Sequence, residues 1–170
     1  MKNVPVFIQK MAQTASSFSG LAQVALEQLQ TFPDKAEIVC GPISTGGLGK
    51  SYVNLLIFNH VIEVLQSAGR PIWSQMPFEA GLAELEHEWK AQHPHEAYCK
   101  PILDEFYLPI FESGYIRTAW FIDGEHGWTT SQGAQWEMAQ CKRLSIPQRF
   151  FAEVWHVSIP DLRETCLCDT

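Results

Sequence analysis

Trp128-Thr129-Thr130-Ser131-Gln132-Gly133-Ala134-Gln135-Trp136-Glu137 is the stretch on which the reading of the fold turns. An apolar run, Thr118-Ala119-Trp120-Phe121-Ile122, leads into it and ends at Asp123. Met138-Ala139-Gln140-Cys141-Lys142-Arg143-Leu144 continues it until Pro147 stops it. The run has the character of a buried strand, and the segment after Ser131 that of a helix. Ser131 is a good N-cap, with backbone N–H groups just after it that lack helical acceptors. Such an end attracts an anion, most often a phosphate.

Helix side chains lean toward the N-terminus, so the carboxylate of Glu137 is expected to lie over position 133. That position is Gly133, which has no side chain to cover it. The spacing suggests an open floor with a carboxylate at its edge and amides alongside, a place to hold a sugar phosphate. A glycine needed for close strand–helix packing, with a solvated helix glutamate, gives the same pattern. Glu137 is not the partner in a capping box, which would place the acid where Ala134 stands.

Size and composition bound the rest. A chain of 170 residues fits one domain with a sizeable core. An apolar content of 46% with 18% charged residues is that of a soluble globular protein. The net charge of −7 argues against a nucleic-acid partner. Five scattered cysteines fit free thiols in a reducing compartment. Neither Cys166-Leu167-Cys168 nor the group His93, His95 and Cys99 has the second ligand pair that zinc spacing requires, so no metal is expected. Met1 to Lys10 lacks the features of a targeting segment, and no run is long enough to span a bilayer. These features predict a cytoplasmic location and no membrane.

Along the chain, residues 15 to 31 read as a helix with Phe18, Leu21, Ala25 and Leu29 on one face. It is expected to pack on the sheet or on a second subunit. Glu37 to Cys40 reads as the first strand, followed by a loop from Gly41 to Ser51. Ser44-Thr45-Gly46-Gly47-Leu48-Gly49-Lys50-Ser51 nearly matches a phosphate-binding P-loop, but Ser44 stands where the first glycine belongs. Phe121-Ile122-Asp123 would then supply the acidic strand end that helps hold Mg²⁺. A flexible lid is the alternative reading of these glycines. Tyr52 to Ala68 forms a clear helix closed by Gly69, and Pro71-Ile72-Trp73 a short second strand. Gln75-Met76-Pro77-Phe78-Glu79 follows a strand end, where open α/β sheets contact ligands; Glu79 is suited to a ribose hydroxyl or to the surface. Leu82, Leu85 and Trp89 continue as a helix, Gln92 to Cys99 as a polar loop, and Ile102 to Ser113 as a helix interrupted at Pro109. Phe150 to Trp155 fits either a last strand or a short helix. This alternation predicts an α/β layer fold with a mostly parallel sheet.

Gly127-Trp128 with Ser131-x-Gly133-Ala134-x-x-Glu137 resembles a signature of the nucleoside 2-deoxyribosyltransferase-like superfamily, in a branch without a settled activity. Ile38-Val39-Cys40-Gly41-Pro42-Ile43-Ser44 resembles the first strand and loop of that superfamily, and Asn54-x-x-x-Phe58-Asn59 with Gly69 its first helix. The similarity spans roughly residues 36 to 147. It implies a three-layer Rossmann-like sandwich over residues 36–170, with residues 1–35 as an N-terminal helical extension. The function implied is cleavage or transfer of the N-glycosidic bond of a nucleoside or nucleotide, with Glu137 as the catalytic carboxylate and no cofactor. Ser131 and Gly133 would hold the 5′ end, and Gly41 and Ser44 would border the base or sugar. Asp123 is expected to orient a sugar hydroxyl or protonate the leaving base. Cys40 and Gly41 stand where some members carry an aromatic that positions the glutamate. A nucleotide-binding sensor without turnover and a P-loop triphosphatase are the alternatives. Related folds complete their sites across subunits, which predicts a homo-oligomer.

Overall fold

Among the described residues four short strands carry the fold, and all of them run parallel. The structure, a computed structural model, describes residues 15–152. Met1 to Lys10, Cys166-Leu167-Cys168 and the part of the last element beyond Ala152 lie outside the described residues. The strands are β1 (Ala36–Cys40), β2 (Ile72–Trp73), β3 (Ile116–Ile122) and β4 (Gln148–Phe151), in the order β2-β1-β3-β4. The helices are α1 (Phe18–Gln30), α2 (Ser51–Ser67), α3 (Glu79–Gln92), α4 (Leu108–Glu112) and α5 (Gln132–Arg143). Parallel neighbours need crossovers, and helices supply them here, which gives the α/β architecture of a Rossmann-like fold.

β1 is buried along its whole length, and its alternation divides the core in two. Ala36, Ile38 and Cys40 pack with α1, α3, α5 and the segment around Phe106 and Ile110, together with Ala119 and Phe121 of β3. Val39 points to the other face, where Val53, Ile57, Phe58, Val61, Ile62 and Leu65 of α2 meet Ile72 and Ile122. The sheet is therefore a layer between α2 and the remaining helices.

α1 belongs to this core. Ser17 caps it by accepting from the N–H of Gly20 at 3.0 Å, and Leu21, Ala25 and Leu29 are fully buried. Burial of each leucine contributes roughly 2 kcal/mol. The buried Trp73 of β2 donates its indole N–H to Gln28 of α1 at 2.9 Å. The apolar stripe read from the sequence thus packs within this molecule.

Glu37 is a charged residue buried in β1 on the α2 face. Arg70, just ahead of β2, bonds both of its oxygens. Arg117 and Trp120 of β3 donate to it at 3.1 and 2.7 Å. Burial by itself would push this carboxyl up, but the bonds from Trp120 and Arg70, the Arg70 charge and the Arg117 bond outweigh it and hold it below its ordinary value. One carboxylate thereby ties β1 to β3 and to the residue just ahead of β2.

The helix expected over residues 102–113 is present but widened. Ile102–Tyr107 forms a π turn, in which the N–H of Leu108 donates to Leu103, and α4 follows directly. Pro109 has no N–H and clashes with the carbonyl four residues back, so a wider turn ahead of it relieves the conflict. The last element is a strand in its described part and starts earlier than expected, at Gln148. β3 offers it a free ladder edge, and the N–H of Asp123 extends the pairing to the carbonyl of Phe151 at 2.9 Å. Among the described residues no helix is long and apolar enough to cross a membrane.

Candidate functional site

From β1 the chain moves outward to β2, then returns across β1 to place β3 on its other side. The chain leaves β1 toward α2 on one face of the sheet and leaves β3 toward α5 on the other, and open α/β sheets bind ligands at the carboxyl ends of such strands. A cavity of about 410 Å³ lies there, within the range of roughly 300–1,000 Å³ typical of small-molecule sites. Gly41 and Ser44 line it from the loop after β1, Gln75 and Glu79 from the turn after β2, and Ser131, Gly133 and Glu137 from the start of α5.

Ser131 caps α5 as its sequence position predicts. Its Oγ accepts from the N–H of Ala134 at 3.3 Å and lies 3.4 Å from Oγ1 of Thr45. Gly133 is less open than the spacing suggested. A Cβ there would stand 3.1 Å from the Tyr98 hydroxyl, so the floor is a narrow gap between α5 and the loop before the π turn. Gly41 is needed for close approach, since a Cβ would stand 2.8 Å from Cδ1 of Ile122 at the end of β3.

Glu137 is buried, not solvated. Burial pushes its carboxyl up to about 8; the thiol of Cys40, hydrogen bonded to it, pulls the other way, and the charge of Glu79 adds to the rise. Expected from sequence as an anion, this group therefore keeps its proton at neutral pH in the free protein. Sequence reading had no means of seeing this, because desolvation comes from β1 and from the segments before β3. Cys40 and Cys141 are themselves buried free thiols. Burial and then the Glu137 charge raise both, Cys141 to about 12 and Cys40 well above its ordinary value.

Glu79 is the second carboxyl of the cavity. Its residue is only partly buried, but Oε1 is enclosed and has no hydrogen-bond partner. Burial, then the charge of Glu86, pushes it up to about 7. Tyr107, fully enclosed nearby, is pushed well up by burial and by the Glu79 and Glu137 charges.

Five of the six site residues expected from sequence meet in this cavity: Gly41, Ser44, Ser131, Gly133 and Glu137. Asp123 is not among its lining residues. Its position after β3 uses its backbone N–H for the β4 ladder. Gln75 and Glu79 join the lining from the strand-end segment expected to contact ligands, and Thr45, Glu86 and Tyr98 join it from positions that were not expected there. The position of Gln75 after a strand end was a usable signal; Tyr98 lies in what reads as a polar loop and gave none.

The glycine loop is tied down. Gly47 donates its N–H to Oγ1 of Thr130 at 2.8 Å, and Leu48 donates to Oδ1 of Asn54 at 3.0 Å. The Asn54 amide donates to the carbonyls of Ile43 and Gly46, both at 3.1 Å. A Cβ on Gly46 would lie 2.2 Å from the Thr130 carbonyl oxygen, so the loop after β1 rests directly on the turn after β3. Lys50 is exposed at the N-cap position of α2 and does not line the cavity. Among the described residues no group of three or more His, Cys, Asp and Glu is placed to hold a metal ion.

No family model matches the chain, and neither a curated protein nor a solved structure matches it.

Proposed function

We propose that the cavity takes a nucleoside or nucleotide and that Glu137 acts at C1 of its sugar while the N-glycosidic bond is broken. Breaking this bond builds oxocarbenium character at the anomeric carbon, and a carboxylate against the ring stabilises that charge or bonds to it. The observation that carries the reading is a buried glutamate lining a cavity at the carboxyl ends of parallel strands, beside a helix N-terminus capped by Ser131. The resemblance of the Ser131-x-Gly133-Ala134-x-x-Glu137 stretch to the nucleoside 2-deoxyribosyltransferase-like signature supports the same role.

A carboxyl titrating at about 8 is roughly one-tenth ionised at pH 7. The developing positive charge of the sugar favours the ionised form, and the Cys40 thiol bond acts in the same direction. The 5′ end of the ligand belongs at the α5 N-terminus, beside the hydroxyls of Ser44, Thr45 and Ser131. The lining includes three glutamates, Glu79, Glu86 and Glu137, and no Lys, Arg or His, which favours a neutral nucleoside over its phosphate.

The P-loop alternative needs loop amides free for phosphate oxygens. Here the N–H groups of Gly47 and Leu48 are held by Thr130 and Asn54. That weighs toward the glycosidic reading.

The test is Glu137→Gln, which keeps size but removes the ionisable group. Base release from a panel of nucleosides should fall by two or more orders of magnitude while affinity changes little, because the lost interaction belongs to the transition state. Base release that survives the substitution would remove the mechanism. Binding of nucleosides by the wild type without any base release would identify a sensor.

A further inference from the structure

We propose that Gln75 and Glu79 form a subsite for the 2′,3′-diol of a ribose, so that the cavity selects ribonucleosides over 2′-deoxyribonucleosides. This rests on the nucleoside reading above and specifies its sugar. Two buried side-chain oxygens among the described residues lack any hydrogen-bond partner, Oε1 of Gln75 and Oε1 of Glu79. Both residues line the Glu137 cavity, one at each end of the short helical turn Met76–Phe78 that follows β2. An unpartnered buried acceptor is unfavourable and uncommon, and two such acceptors on residues that line one cavity are what a ligand bringing two donors would satisfy.

The orientation of Gln75 has a cause. The residue is 1% exposed, and its Nε2 donates to the carbonyl of Val39 at 3.4 Å, which leaves Oε1 as the group without a partner. Vicinal hydroxyls suit the pair better than N–H groups do. A hydroxyl donates to an ionised carboxylate and can also accept the O–H of a protonated one, whereas an N–H can only donate. Because burial places the Glu79 carboxyl at about 7, both forms are present near neutral pH, and a hydroxyl satisfies each. A 2′-deoxy sugar brings one hydroxyl to this wall and leaves one acceptor unpartnered. A site built to bond a hydroxyl rejects the analogue that lacks it.

The experiment is calorimetric titration of the full chain with adenosine, guanosine, cytidine and uridine, with their 2′-deoxy counterparts, and with ribose 5-phosphate against 2-deoxyribose 5-phosphate. The wild type should bind at least one ribonucleoside tenfold or more tighter than its 2′-deoxy form. Glu79→Leu should bring that ratio near one by weakening the ribo form alone, and Glu79→Gln, which keeps an acceptor oxygen, should retain most of it. Equal affinity of wild type for ribo and deoxy nucleosides would overturn the diol subsite and leave the glycosidic reading standing. A preference that persists in Glu79→Leu would place the discrimination elsewhere and also overturn it. Ribose 5-phosphate preferred over its deoxy analogue, with no nucleoside bound, would support the subsite and remove the glycosidic reading. No binding of any probe would remove both.

Discussion

At the scale of the residue, the proton on Glu137 ties stability to pH. Its folded-state value is about 8 against an ordinary 4.5. Between those values the folded protein binds a proton that the unfolded chain has released, so this group's contribution to stability falls as pH rises, and it levels off above about 8. Glu137→Gln has no such dependence at this position. Urea unfolding at pH 5 and pH 8.5 should therefore show a larger loss of stability in the wild type than in the variant. Parallel pH curves would mean that the carboxyl titrates normally and is not desolvated. The same burial explains why the sequence reading of Glu137 was incomplete. That it shares a helix face with Gly133 follows from helix geometry, whereas its charge depends on Cys40, Glu79 and the exclusion of water, none of which lies nearby in the chain.

Among the elements, the loop from Gly41 to Lys50 departs furthest from its sequence pattern. Its glycines read as a phosphate cradle or a mobile lid, yet positive φ at Gly46, Gly47 and Gly49 serves a turn fastened to α2 and to the Thr130 turn. Asn54 is the fastener: buried in the first turn of α2, it makes three bonds to this loop. Asn54→Ala leaves the N–H of Leu48 and two carbonyls without these partners and should cost about 2 kcal/mol, with exposure of the loop to water limiting the loss. Because Gly41, Ser44 and Thr45 line the cavity, the variant should also bind its ligand more weakly. Hydrogen exchange should show faster exchange at Leu48 than in the wild type. Unchanged exchange there would show that the loop holds itself in place without Asn54.

For the whole molecule, the fate of α1 bears on assembly. The homo-oligomer expected from sequence relied partly on an unassigned apolar helix, and the stripe of that helix is buried in the molecule's own core. Large exposed apolar side chains among the described residues are Leu48, Tyr52, Leu56, Val64 and Phe150. Three of them sit on the outer face of α2 and one just before it, close to Ser51 and Leu55 of the cavity wall. If a second copy completes the assembly, this face is where it docks. Sedimentation at high micromolar concentration should then show a dimer for the wild type and a monomer for Leu56→Glu, with nearly unchanged thermal stability of the fold. A wild-type monomer at that concentration would end the proposal of self-association.

The sequence by itself determined the alternation of helices and buried strands, the Ser131 cap, the amphipathic faces of α1 and α2, and the spacing that puts Gly133 and Glu137 on one helix face. Each of these depends on backbone preference or on residues within a turn or two, so a local pattern carries it. Only the tertiary structure decided that β1 stands between β2 and β3, and that the chain leaves β1 and β3 toward helices on opposite faces of the sheet. It also brought Gln75, Glu79, Tyr98 and Glu137 to one cavity and left Asp123 out of its lining. Strand order, desolvation and the convergence of side chains arise from contacts between segments distant in the chain. No periodicity records such contacts, because they exist only once the layers have packed.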